Sequence, residues 1–535
     1  MRACGRRAVA GPRGARRLAL VMLVAAASWG AACGPRPRPA APGPSAPRLG
    51  VGVASACPSG QSAAIVLCRH LEALFAEPAL RTAVWSVRVE SLDRGDVLYR
   101  LNPDTLVVPA SNTKIVTMAV GAARLGWDHR YETRLEISGD VVDGELRGDL
   151  VVVGGGDPTI NGRTGDRETV FAAWAEALRA AGIRRVAGRL VGNDDAFDDE
   201  RYGDGWSWDD FAHGYAAPVG ALQYNENLVQ VVVRPGPAPG DPATVTLVPP
   251  ESGLLVANHV TTGPAGVEAD VDMARFPGRP ELRVTGTVPA GGREETLTAA
   301  VDNPTLFFVR ALRAALAARG IEVTGDATDI DELPPGDPSA APAPGAPAPS
   351  RRALAVHVSP PLAEIGKTLM KASQNLYAET VLRTLSLRPG PASAAASGAI
   401  EREVLAGWGL LPGQYSLVDG SGLSRLNFVS ASTVVRILRE MAREPRGFAA
   451  FVATLPTAGR DGTLAGRLKA TRAEANATAK TGTLRHVRAL SGYVTALDGE
   501  RLVFSIIANN FTTPTRDVDK VVDAAVARLA DFSRR

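Results

Sequence analysis

Residues 109–114 read Pro109-Ala110-Ser111-Asn112-Thr113-Lys114 and lead into an apolar stretch whose pattern predicts a helix from about Ser111 to Leu125. A three-residue spacing on a helix puts Ser111 and Lys114 on one face. A serine hydroxyl is a poor nucleophile at its ordinary pKa and needs a base within hydrogen-bond reach. Lys114 can be that base only if burial or a second cation lowers its own pKa. S-x-x-K occurs once in the chain, because only one of the six Lys stands three residues after a Ser. Alone it is a weak sign, since a Ser at a helix start with a Lys one turn on is unremarkable.

Two further motifs occur once each. Ser373-Gln374-Asn375 is S-x-N and interrupts an apolar segment expected to be helical over 361–386. Lys480-Thr481-Gly482 is K-T-G and precedes two alternating stretches, 487–497 and 501–509, which Asp498-Gly499 joins as a hairpin. An edge strand is therefore expected around Lys480. The order S-x-x-K, S-x-N, K-T-G matches the penicillin-recognising serine enzymes. In this arrangement Ser111 attacks a carbonyl to form an acyl-enzyme, and Lys114 takes its proton. Ser373 bridges Lys114 and Lys480 and passes a proton to the leaving amine. Asn375 orients the substrate amide and bonds Lys114. Lys480 supplies the second cation that lowers the pKa of Lys114, and draws a substrate carboxylate that Thr481 also holds. Gly482 lets the strand approach the substrate. The backbone N–H groups of Ser111 and Thr483 form the oxyanion hole.

Outward from these motifs, 68–77 reads as a helix, and 83–91 with 96–101 as a hairpin around Asp93-Arg94-Gly95-Asp96. From about 135 to 325 short alternating strands dominate, interrupted by helices at 168–181 and 304–319. This span reads as one or two inserted, mainly β domains. Residues 326–352, with a Pro/Ala/Gly/Ser-rich tract, read as a flexible loop. Helices follow at 399–407 and 430–443, and a last one at about 516–531. The catalytic body is then 51–134 plus 353–535, with strands at both ends and helices between. Its fold class is α+β, an antiparallel sheet with helices on both sides.

The chain resembles the D-alanyl-D-alanine carboxypeptidase/endopeptidases of the penicillin-binding protein 4 type, the S13 peptidases. The likeness runs from about 75 to 531. It is carried by the three motifs and by Gly155-Gly156-Asp157-Pro158-Thr159, Trp206-Ser207-Trp208-Asp209-Asp210, Tyr215-Ala216-Ala217-Pro218-Val219, Asn225-Glu226-Asn227 and Asp419-Gly420-Ser421-Gly422-Leu423-Ser424-Arg425. The 262 positions between Ser111 and Ser373 fit the family's inserted domains. The resemblance implies the transpeptidase fold shared with serine β-lactamases. It implies cleavage of D-Ala-D-Ala ends or of D-amino-acid cross-links in peptidoglycan peptides, and acylation of Ser111 by β-lactams. It also implies that Asp157 lies near the active site and influences recognition of a substrate side chain. A tight turn between strands is the plain alternative for Asp157. Gln374, a variable middle position, is expected to matter little. Asp419 to Arg425 is expected to border the cleft, with Asp419 and Ser421 capping backbone N–H groups and Arg425 in a salt bridge or, as the alternative, against the substrate.

Composition narrows the alternatives. There are 59 basic and 56 acidic residues in 535, and residues 1–32 carry six Arg and no acid. Without them the balance is 53 against 56, and aromatics are only 5%, so a nucleic-acid partner is excluded. The six His are scattered and the Cys spacing is no metal signature, so neither metal nor cofactor is expected. The Arg-rich start, the apolar run Leu18–Ala27 and the small residues before Cys33 read as an export signal over 1–32. Two continuations stay open: cleavage near Ala32, or a lipid on Cys33 with 33–50 as a stalk. Cys57 and Cys68 suit a disulfide in an oxidising, periplasmic compartment. A β-lactamase is disfavoured because no E-x-x-L-N pattern stands near the second motif. A transpeptidase is disfavoured because no clear membrane anchor and long extra module are visible. A non-catalytic wall-binding protein is disfavoured because all seven motif groups are intact. The oligomeric state is not legible.

Overall fold

The computed structural model describes residues 57, 62–163, 165–340, 350–387 and 391–535. The expected leader, Cys33 and the stalk lie outside the described residues, as do 341–349 of the expected loop. Among the described residues no helix is long and apolar enough to cross a membrane.

The catalytic body is built on a five-stranded antiparallel sheet. Strands β1 (Val84–Ser91) and β2 (Val97–Leu101) form the first hairpin, and β3 (Thr478–Leu484), β4 (Val487–Thr495) and β5 (Arg501–Asn509) come from the other end of the chain. Their order is β2-β1-β5-β4-β3, which leaves β3 on an edge. The two chain ends meet at β1 and β5, in register from Val84↔Asn509 to Ser91↔Leu502. The helices of this body are α1 (Ala63–Phe75), α2 (Thr113–Leu125), α3 (Leu362–Lys371), α4 (Asn375–Thr384), α5 (Ala394–Gly407), α6 (Ala431–Met441), α7 (Pro445–Thr454) and α8 (Thr515–Ala530).

Strand β5 shows why the sheet needs helices on both sides. Alternation sends Leu502, Phe504, Ile506 and Ala508 to one face and Val503 and Ile507 to the other, and all six are buried. The first set packs with α1 and α8, for example Leu71, Phe75, Val522 and Leu529. The second set packs with the helical layer that includes α2, α3, α6 and α7, through residues such as Ile115, Leu369, Val434 and Phe451. Each such large apolar side chain contributes about 1.5–3 kcal/mol by leaving water. The expected α+β body is therefore present.

The inserted region leaves and returns at one place. Its central sheet pairs Glu132–Ile137 with Leu150–Val153 on one side and with Arg352–Val358 on the other, all antiparallel. The chain crossings at its base hold each other: Ser359 N donates to Tyr131 O at 2.9 Å, and Tyr131 N donates to Ser359 Oγ at 2.9 Å. The region so defined spans about 132–358, not 135–325. The expected loop 326–352 is also corrected, because Ala327–Asp329 is a strand and Ile330–Glu332 a helical turn. Composition marked the Pro/Ala tract, but the pairing of 352–358 with 132–137 is non-local and leaves no compositional mark. A four-stranded sheet, two three-stranded sheets and the helices Thr169–Ala180 and Pro304–Ala318 complete the region, around a shared core that includes Trp174, Phe307, Val231 and Leu282.

Helical boundaries shift in several places, among them α1, which runs Ala63–Phe75 against the expected 68–77. The stretch 361–386 is two helices, α3 and α4, parted at Ser373, whose φ is +58°. Helix α5 starts at Ala394, capped by Ser393 Oγ, ahead of the expected 399. Helix α7, with Pro445 in its first turn, was not anticipated. The suggested disulfide between Cys57 and Cys68 is present and ties α1 to the segment before it. Its reduction is expected to lower stability by about 3 kcal/mol, the loop-closure entropy for a short loop. Urea unfolding of oxidised and reduced protein measures this, and coincident midpoints would contradict it.

Candidate active site

The three motifs meet where the start of α2, the α3–α4 turn and the edge strand β3 converge. A turn at Ala110–Asn112 leads into α2 and carries Ser111. Ala110 has φ +48°, an uncommon conformation for a residue with a side chain. The turn is pressed from two sides. A Cβ on Gly482 would lie 2.6 Å from Pro109 O, so only glycine lets β3 pass this close. A Cβ on Gly422 would lie 1.9 Å from Ala110 O, and Gly422 has φ +81°. Below the turn, Asn112 Nδ2 donates to Ser491 Oγ on β4 at 2.7 Å, and Ser491 Oγ donates to Ser505 Oγ on β5 at 2.9 Å.

Lys114 Nζ lies 3.0 Å from Ser111 Oγ, 2.6 Å from Asn375 Oδ1 and 2.7 Å from the carbonyl oxygen of Ser421. Lys480 Nζ donates to Ser373 Oγ at 2.8 Å and to Thr481 O at 2.9 Å. Both lysines are fully buried. Burial pulls the pKa of Lys114 down to about 7, against the opposing pull of the Asp419 and Glu379 carboxylates. Burial, then the charge of Lys114, lowers Lys480 well below its ordinary value. Desolvation, not the charge of Lys480 that was expected to do it, lowers Lys114.

Edge strand β3 offers its backbone to the cleft. Ala479 N donates to Pro456 O, away from β4. Strand alternation puts the N–H groups of Thr481 and Thr483 on the same open side. Thr481 Oγ1 donates to Thr463 Oγ1 at 2.7 Å, and both residues line the cleft. Arg488 donates to Thr483 Oγ1 from the neighbouring strand. The cleft is about 1090 Å³ and is lined by Ser111, Ser373, Asn375, Thr481 and Thr483 together with Trp206, Trp208, Asp209 and Asp210 of the inserted region.

Asp157 is not brought to this cleft. It is 1% exposed, and its Oδ1 accepts from Thr159 N and Thr159 Oγ1 at 2.8 and 2.6 Å. Its Oδ2 lies 3.2 Å from His357 Nε2 on the returning strand. The carboxylate is committed to its own turn and to that strand, so the expected substrate contact is corrected. Asp209 and Asp210 are the acids on the cleft wall. They stand in a quoted stretch but were given no role.

Other groups were invisible or undervalued in the sequence. Glu379 stands one turn after Asn375 on α4, and its carboxylate accepts from Gly420 N and Ser421 N. It thereby aims the Ser421 carbonyl at Lys114. Burial raises its pKa, and Asp419 adds to the rise. Asp419 accepts from Gly422 N at 2.8 Å and Ser424 N at 2.7 Å, the capping expected of it, and also from Trp206 Nε1 at 2.9 Å. Arg425, expected in a salt bridge, donates instead to Arg485 O and lines the cleft. Gln374 was expected to matter little. Its Oε1 accepts from Leu376 N and caps α4, and its Nε2 donates to Glu226 Oε2 at 2.8 Å.

Known proteins share both the sequence and the shape. The D-alanyl-D-alanine carboxypeptidase of Actinomadura sp. (strain R39) is 34% identical over 482 residues, covering 87% of this chain and 85% of that protein. The crystal structure of penicillin binding protein 4 from Haemophilus influenzae superposes with a TM-score of 0.75 at 24% identity, over 86% of this chain and 99% of that one. The same protein complexed with a β-lactam gives 0.68 at 25% identity, over 83% and 94%. The profile of the D-Ala-D-Ala carboxypeptidase 3 (S13) family matches residues 67–531, and the chain belongs to that family.

Proposed function

We propose that Ser111, Lys114, Ser373, Asn375 and Lys480 carry out serine-type D-Ala-D-Ala carboxypeptidase and D,D-endopeptidase chemistry on peptidoglycan peptides, with β-lactams acylating Ser111. One observation carries this assignment. Lys114 Nζ faces two carbonyl-type acceptors, Asn375 Oδ1 and Ser421 O, and one hydroxyl, Ser111 Oγ. A neutral amine has two N–H bonds and one lone pair. The two acceptors take the N–H bonds, and the lone pair is left facing Ser111. That is the geometry a general base needs.

The steps follow. Lys114 accepts the Ser111 proton as Oγ attacks the carbonyl of the penultimate D-residue. The N–H groups of Ser111 and Thr483 hold the developing oxyanion. Ser373, bonded to Lys480, gives its hydroxyl proton to the departing amine and takes in exchange the proton that Lys114 removed from Ser111, so the C–N bond breaks with Lys114 neutral again and Ser373 restored. Lys480 and Thr481 hold the carboxylate of the leaving D-Ala. Water then attacks the acyl-enzyme by the reverse proton path and frees Ser111. Asp209, Asp210, Arg425 and Arg485 also line the cleft, which suits a peptide bearing charges of both signs. We place the protein outside the cytoplasm, on the leader read in 1–32 and the Cys57–Cys68 disulfide. Lipid attachment at Cys33 remains a proposal that mass spectrometry of the exported protein decides.

Incubation with a fluorescent penicillin is expected to label the protein, and S111A is expected to stay unlabelled and to release no D-Ala from a D-Ala-D-Ala peptide. Labelling of S111A at the native level would refute the nucleophile. The rate of acylation depends on neutral Lys114, so it is expected to rise with pH through about 7. E379Q removes a carboxylate that raises the pKa of Lys114 and keeps an acceptor for Ser421 N. Its acid limb is expected at lower pH than the native limb. A pH–rate profile checks both, and an unmoved or upward-moved limb would contradict the electrostatic part.

A further inference from the structure

Ser373 holds a backbone conformation that it does not prefer. Its φ of +58° is costly for a residue with a side chain and persists only where its surroundings fix it. Lys480 holds its hydroxyl. The two residues that follow it are held from outside the catalytic body. Asn375 Nδ2 donates to Tyr215 O at 2.7 Å, and Gln374 Nε2 donates to Glu226 Oε2 at 2.8 Å. Tyr215 and Glu226 both belong to the inserted region.

Glu226 is built for this contact. It is the middle residue of Asn225-Glu226-Asn227, and all three have positive φ, 50°, 58° and 57°. Asn227 Oδ1 accepts from Tyr224 N, and Asn227 Nδ2 donates to Pro218 O, which fixes the turn. Glu226 is 6% exposed. Arg163 grips its carboxylate with two nitrogens, Nε to Oε1 and Nη2 to Oε2. Arg163 is set in turn by Asn161, whose Oδ1 accepts from Arg163 N and whose Nδ2 donates to Tyr377 Oη on α4. The chain Arg163–Glu226–Gln374 therefore starts and ends against α4, the helix that Gln374 caps.

We propose that Glu226 is a positioning residue for Ser373, acting through Gln374, so that the inserted region fixes the second motif in its reactive shape. This rests on the reading of Ser373 as a member of the catalytic group. Glu226 touches neither substrate nor Lys480. It sets where the Ser373 hydroxyl sits between Lys480 and the leaving amine, and it acts on the rate of the acylation step, not on binding of the β-lactam.

A donor–acceptor exchange tests it. In Q374E two carboxylates face each other, while the substituted side chain still caps Leu376 N through one oxygen. In E226Q Arg163 and Gln374 compete for one acceptor oxygen. In the double variant E226Q/Q374E, the amide introduced at position 226 again accepts from Arg163 and donates to the carboxylate introduced at position 374, so one matched pair is restored. The first-order acylation rate at saturating fluorescent penicillin is expected to fall by about ten- to a hundredfold in Q374E, the scale of a misplaced catalytic group. The concentration giving half-saturation and the circular dichroism are expected to be unchanged. The double variant is expected to recover to within a few-fold of native. A double variant no faster than Q374E, or a Q374E loss confined to half-saturation, would overturn the proposal. Labelling of S111A would instead overturn the nucleophile, so the two failures are distinguishable.

Discussion

Two lysine side chains buried side by side are the constraint on which this structure depends. An isolated ammonium deep in a protein costs several kcal/mol even after relaxation. The fold meets that cost in two ways. It lets Lys114 lose its proton near neutrality, and it gives each Nζ fixed acceptors: Asn375 Oδ1 and Ser421 O for one, Ser373 Oγ and Thr481 O for the other. Glu379 and Asp419 limit how far the pKa of Lys114 falls. A lysine depressed without limit would be too weak a base to take a serine proton, and one left at its ordinary pKa would be protonated and have no lone pair. Burial and the two acids pull in opposite directions, and the balance falls near the pH at which a general base works best.

Holding those acceptors in place requires close backbone approach and local strain. Ala110 and Ser373 both adopt positive φ beside the groups that matter. Each is clamped: Ala110 between the Gly482 and Gly422 backbones, Ser373 by Lys480 and by contacts on the two residues after it. The Asp419–Arg425 loop has a double task. Its Gly422 presses on the nucleophile turn while its Ser421 carbonyl fixes the base, and Glu379 and Asp419 hold it from below. Moving that loop would shift nucleophile and base together.

The parts legible in the sequence are those that depend on side-chain type at short spacing. S-x-x-K on one helix face, K-T-G ahead of a hairpin and the alternation of 501–509 each encode their own geometry. The α+β body and the convergence of Ser111, Lys114, Ser373, Asn375 and Lys480 could be reasoned from them. What stayed hidden acts through the backbone or across the fold. A Ser421 carbonyl has no sequence signature. Glu379 had one weak signal, its i+4 spacing from Asn375. The pairing of 352–358 with 132–137 joins segments more than two hundred positions apart, so composition misplaced that boundary. Asp157 lies outside the cleft lining because its Oδ1 holds its own Gly-Gly-Asp-Pro turn and its Oδ2 faces His357 of a strand two hundred positions away.

The base of the insertion shows that the inserted region is more than an appendage. Its two chain crossings bond to each other through Tyr131 and Ser359, so the catalytic sheet and its helices close without any strand from it. Yet Trp206 bonds Asp419, the Tyr215 carbonyl bonds Asn375, and Glu226 bonds Gln374. These contacts reach the loop that aims at Lys114 and the turn that carries Ser373, and residues 206–210 of the inserted region line the cleft. A molecule held against those residues is therefore mechanically linked to Lys114 and to Ser373. Loss of the Trp206–Asp419 hydrogen bond would therefore loosen the loop that holds Lys114 as well as that part of the cleft lining.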